Sequence, residues 1–133
     1  MNINLNFSIS ELIKSDTAIK YNTNNMPDIQ SLDNLLYLIT YCLQPVRNIL
    51  KKQMIITSGY RNKYVNDIVK GSKNSQHLSG KAADFTVKGM SVNEIINIIK
   101  SSEIEFDQLI NEYNKWVHIS FNKGKNRKQI LKY

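Results

Sequence analysis

Apolar side chains at Leu32, Leu35, Leu36, Ile39, Leu43, Val46 and Ile49 recur at the spacing of one face of an α-helix. The stripe starts just after Asp28 and predicts one long core helix, which must lay that face against a second layer to be stable. Pro45 lies inside the pattern. Proline removes a backbone donor and its ring clashes with the previous turn, so a kink or break is expected near Cys42, Leu43 and Gln44. With 133 residues the chain can bury one sizeable core but not two. A single domain over residues 1–133 is expected, with its core at about 7–121 and a basic C-terminal tail at 122–133.

The remaining segments supply that second layer. Ser8-Ile9-Ser10-Glu11 has the spacing of a capping box, in which the serine and the glutamate each satisfy a backbone donor at a helix start. A short helix to Lys14 or Ser15 should follow, and 16–27, rich in Asn, Thr and Asp, reads as a loop. Met54-Ile55-Ile56-Thr57-Ser58 is a β-rich run that delivers Tyr60 and Arg61 to its end. A helix over 62–69 closed by Gly71, a polar loop over 70–75 and a strand over 82–87 come next. Ser91-Val92-Asn93-Glu94 is a second capping box opening an amphipathic helix, and 106–112 with 116–121 form a hairpin. After Phe121, only Ile130 and Leu131 offer apolar surface to dock back. The pattern is α+β, with helices packed on a central antiparallel sheet.

Eighteen Lys and Arg against 11 acids give a net charge of +7, so the surface attracts polyanions. Nucleic acid, anionic wall polymers and membrane surfaces all fit that charge. No helix-turn-helix, aromatic RNA-binding signature or regular basic helix accompanies it, so a specific nucleic-acid partner is not expected. The lone Cys42, in an apolar helical stretch, excludes an intramolecular disulfide and a cysteine-based zinc site. No apolar run is long enough to cross a bilayer and the first residues do not read as a signal peptide, so a soluble monomer made in the cytosol is expected.

The chemistry gathers around the two histidines. His77 stands in Ser75-Gln76-His77-Leu78-Ser79-Gly80-Lys81-Ala82-Ala83-Asp84-Phe85, and His118 in the alternating run Trp116-Val117-His118-Ile119-Ser120-Phe121. Either histidine alone is more often a satisfied polar residue, and an aspartate after Ala-Ala can simply cap or pair. Together, two neutral imidazoles and a carboxylate suit a catalytic zinc, which takes three protein ligands and leaves a fourth position open. Gly80, Ala82 and Ala83 leave room for a close approach.

Ser58-Gly59-Tyr60-Arg61, Val65-Asn66, Gly71-Ser72, the His77 motif with Asp84, Phe106-Asp107-Gln108-Leu109-Ile110 and the His118 run occur in that order. In this they resemble the D-alanyl-D-alanine carboxypeptidase family of zinc peptidases, and within it the small single-domain members common among phage endolysins and wall-remodelling enzymes. The resemblance implies a Hedgehog/D-Ala-D-Ala peptidase-like fold and one zinc ion per chain held by His77, Asp84 and His118. It implies that Arg61 holds the substrate and its developing oxyanion; Ser75 and Gln76, beside His77, are expected to hydrogen-bond substrate or orient that ring. The family's acid lies three residues before the last histidine, where this chain has Lys115. Glu112 is the candidate general base if Tyr113-Asn114-Lys115 is a three-residue hairpin loop; a two-residue loop would turn it to the opposite face. Glu103, Glu105 and Asp107 are weaker alternatives, Asp107 also as a supporting partner, and Trp116 is assigned to the core.

The function implied is hydrolysis of peptide bonds in D-Ala-containing stems or cross-bridges of peptidoglycan. The expected setting is a phage endolysin or cell-wall carboxypeptidase, acting on the wall after holin-type release or as a virion component. A zinc-binding wall-recognition or virion module without turnover is the alternative.

Overall fold

The structure is a computed structural model, and residues 5–133 are described. In chain order it contains α1 (Ile9–Ile13), α2 (Asp16–Lys20), α3 (Ile29–Leu38), a π-helical turn (Ile39–Leu43), α4 (Gln44–Leu50) and β1 (Ile55–Ser58). Then follow α5 (Lys63–Ile68), a 3-10 turn (Gln76–Ser79), β2 (Ala82–Thr86), α6 (Val92–Lys100), β3 (Gln108–Glu112), β4 (Trp116–Ser120) and β5 (Gln129–Lys132). No helix among the described residues is long and apolar enough to cross a membrane.

Side chains cap the helices where the sequence places them. The Ser8 hydroxyl accepts from the Glu11 N–H, Asn62 from Val65, and Ser91 with Glu94 completes a reciprocal capping box. The stretch 16–27 is not all loop, because Ser15 caps α2 by accepting from the Ala18 N–H. This is the same short-range signal as at Ser8, set here among other polar residues able to cap or turn. Asn25 then ties the segment down. Its amide donates to the Ile13 and Tyr60 carbonyl oxygens at 2.9 and 2.8 Å, and its oxygen accepts from the Asn62 N–H at 2.8 Å.

Pro45 does not break the long helix. The turn ahead of it widens, and the Gln44 N–H bonds to the Ile39 oxygen five residues back, a π-turn at the place where the kink or break is expected.

The sheet runs β1-β2-β4-β3-β5. The first four strands are antiparallel, and β5 lies parallel to β3, from Gln108 opposite Gln129 to Asn111 opposite Lys132. The α+β class is as expected, but the sheet is mixed, and the end of the tail is its fifth strand. The backbone of β3 has an unfilled edge, and β5 fills it with main-chain hydrogen bonds that require little apolar side chain.

Strand alternation sorts the sheet into two faces. Ala83, Phe85, Leu109, Val117 and Ile119 enter one buried cluster with Leu35, Leu38, Leu43, Val46, Ile95 and Ile99 of the helical layer. The alternate positions, Asp84, Ile110, Glu112 and His118, therefore share the opposite face.

Gly59 joins this framework to α1. A Cβ there would sit inside the contact radius of the Leu12 carbonyl oxygen, which itself accepts from the Tyr60 N–H at 2.7 Å. Gly59→Ala should destabilise the fold by about 1–3 kcal/mol, as overpacking against backbone does, measured by urea unfolding.

Candidate metal centre

His77 is carried by the tight turn Gln76–Ser79. Ser75 opens the turn, its hydroxyl accepting from the His77 N–H at 3.2 Å, and Gly80, at φ +74°, closes it. A side chain at Gly80 would also collide with the Ser31 backbone on α3. The His77 Nδ1 lies 2.7 Å from the Gly59 carbonyl oxygen. A carbonyl only accepts, so the ring proton sits on Nδ1 and the neutral ring turns its Nε2 lone pair toward Asp84 Oδ1, 3.3 Å away.

Two acceptors face each other there, an arrangement that calls for a proton or a cation between them. His118 reaches the same oxygen from β4, Nδ1 to Asp84 Oδ1 at 3.0 Å, because register places Asp84 opposite His118. All three residues are buried, with one donor atom from each lying within 4.8 Å of the others. Ligands about 2.0–2.1 Å from a tetrahedral ion lie about 3.3 Å apart, so the donor set and its spacing fit zinc. Burial pushes the Asp84 carboxyl up, but the positive charge the adjacent imidazoles carry when protonated, His77 foremost, outweighs it and holds the group well below the usual carboxylate range.

Glu112 enters by hairpin geometry. Register pairs Glu112 with Trp116, leaving a three-residue loop in which Tyr113 and Asn114 adopt φ +61° and +57°. The Asn111 side-chain oxygen accepts from the Asn114 N–H at 2.8 Å, which supports that turn. Glu112 is thus the diagonal neighbour of His118 on one face, with Oε1 3.5 Å from Nδ1. Burial, and then the Asp84 charge, raise its pKa. Lys115 is exposed in the loop.

Arg61 stands across the cleft. Its N–H donates to the His77 oxygen at 3.0 Å and its Nη2 to the Ser75 hydroxyl at 3.3 Å, while Nε is buried without a partner. Burial lowers its pKa, and the Asp84 and Glu112 charges oppose that shift.

These residues line a cleft of about 950 Å³ that also takes in Gln76, Tyr113, Trp116, Lys125 and Arg127. Trp116 is therefore a wall of the cleft and not core. It starts β4 on the side away from the helices and leans on Tyr113, ring centroids 6.3 Å apart. Glu103 and Glu105 are exposed and lie outside the cleft.

Asp107 contacts neither histidine. It is 1% exposed and accepts from Gln76 Nε2 at 2.8 Å and from Arg127 N, Nε and Nη2, each at 2.9 Å. Arg127 had no sequence signal beyond belonging to a basic tail. The Arg127 hydrogen bonds hold the Asp107 pKa down to about 2. Its folded value is depressed, so this stabilisation is present at neutral pH and lost as pH falls from about 4 toward 2. Protection of the β5 amides, measured relative to their intrinsic exchange rates, should fall across that window in the wild type, and Asp107→Asn should remove that pH-dependent loss.

A mixed sheet under a helical layer, with two buried histidines and an aspartate on the floor of a peptide-sized cleft, defines a metallopeptidase-like class. The chain belongs to the peptidase M15 family, whose model matches residues 5–120. Peptidases of this family are zinc-dependent, and the His77, Asp84 and His118 cluster is able to hold such an ion. Comparison with curated proteins returned no match.

Proposed function

We propose that the chain is a zinc-dependent peptidase that hydrolyses peptide bonds of bacterial peptidoglycan, in D-Ala-containing stems or cross-bridges. The observation that carries the reading is the convergence of His77, Asp84 and His118 at one point with Glu112 Oε1 3.5 Å from His118 Nδ1. His77 Nε2, His118 Nδ1 and Asp84 would hold one zinc ion per chain.

When bound, zinc supplies a Lewis acid and brings the pKa of water to about 7. Glu112, whose pKa burial has raised, takes the proton of the attacking water and returns it to the leaving amine. Arg61 is fixed at its backbone and at Ser75, so its guanidinium can meet the developing oxyanion or a substrate carboxylate without rearranging. The aromatic walls Trp116 and Tyr113 limit the width of peptide admitted. The wall substrate is supported by the resemblance and by a net charge of +7 facing an anionic polymer. A lysis enzyme released through a holin-type pore and a virion component both fit this reading.

The test is the metal content of the purified protein, with hydrolysis of purified peptidoglycan followed by mass spectrometry before and after chelation and zinc return. About one zinc per chain, with fragments that chelation abolishes and zinc restores, is expected. Zinc without fragments would favour a non-hydrolysing wall-binding module, and the absence of zinc would overturn the reading.

A further inference from the structure

The family match ends at residue 120, yet the segment beyond it reaches the metal turn. We infer that Arg127 is a positioning residue for the metal centre, acting through Asp107 and Gln76 on the turn that presents His77. The inference rests on the metal-centre reading above.

The contacts form an unbroken chain. Arg127 meets both oxygens of Asp107 with Nε and Nη2 and adds its backbone N–H to Oδ1. The second oxygen also accepts from Gln76 Nε2 at 2.8 Å. A carboxylate has about four lone-pair sites, and these bonds occupy them all. Only the Gln76 NH2 can face a carboxylate, so the amide has one permitted orientation. Gln76 is the first residue of the turn and directly precedes His77. Its carbonyl oxygen also accepts from the Lys81 N–H at 3.0 Å, closing the turn on itself.

Arg127 is set by main-chain pairing. The Lys128 N–H donates to the Phe106 oxygen at 3.0 Å and the Gln129 N–H to the Asp107 oxygen at 2.9 Å, which starts β5 beside β3. The docking of β5 and the orientation of Gln76 thus meet on one buried carboxylate.

Without Arg127, that carboxylate would lack its countercharge and draw in water or shift, releasing Gln76. His77 would keep its Gly59 hydrogen bond but lose the brace on the residue before it. Groups that support metal ligands from behind typically alter affinity by about 10–100-fold when removed.

The experiment measures zinc affinity by chelator competition for the wild type, Arg127→Ala and Arg127→Lys, together with NMR of the Gln76 side-chain amide in the zinc-free proteins. Lys128→Ala serves as a control, since the backbone N–H bond to Phe106 survives the substitution and the Lys128 side chain makes, among the described residues, only an exposed 3.8 Å pair with Glu105. We expect zinc binding about tenfold weaker or more in Arg127→Ala, a smaller loss in Arg127→Lys, which keeps the charge but not the fork, and none in the control. The Gln76 amide signals should lose their separation and exchange faster in the same order. A folded Arg127→Ala protein with zinc affinity within about twofold of wild type and an unchanged Gln76 amide would overturn the inference. Should the wild type bind no zinc, the metal reading itself fails, and the Gln76 signals alone then decide whether Arg127 positions this turn.

Discussion

Asp84→Asn should reduce zinc affinity by well over the 10–100-fold typical of a supporting residue, and peptide hydrolysis should fall to background with it. The substitution preserves shape and removes the charge that two neutral imidazoles cannot replace. The Asn side chain still offers an oxygen to His118, now 3.0 Å from Asp84 Oδ1, so the zinc-free fold should persist by circular dichroism. Chelator competition reads the affinity. Zinc bound as tightly as in the wild type would place the metal elsewhere.

Glu112→Gln should lower kcat by about 10²–10⁴-fold, the usual worth of a positioned general base, with zinc content unchanged. Glutamine fills the same space on β3 beside His118 but cannot take a proton. The loss should fall on kcat and not on KM, because the proton moves only in the transition state. An unaltered kcat would assign the base to another group. A wild type already inactive and unaffected by the change would mark the chain as a zinc-binding module without turnover.

These two outcomes separate the parts of the site that were legible in different degrees. Asp84 and His118 stand out as residues, and their convergence follows once β2 and β4 pair with Asp84 opposite His118. Glu112 depended on loop length, since one residue fewer in the turn would have reversed its face. The left-handed conformations of Tyr113 and Asn114, supported by Asn111, decide that length. Trp116 lines the cleft and does not fill the core, and its local pattern is no guide, because an aromatic residue at a strand start looks the same in either place. Only the position of the helical layer tells them apart.

The sequence by itself determined what is encoded within a few residues: the caps at Ser8, Asn62 and Ser91, the amphipathic helices, the strands and the rare residues able to bind a metal. Each is a contest between neighbouring backbone groups and one side chain, so nearby residues settle it. Tertiary structure alone decided the parallel docking of β5 and the seat of Arg127 on Asp107. Those depend on backbone edges and buried charges brought together from segments 20 or more residues apart, as Asp107 and Arg127 are. No local pattern carries that information, because main-chain pairing is nearly blind to side-chain identity and a buried carboxylate takes whichever cation the fold delivers.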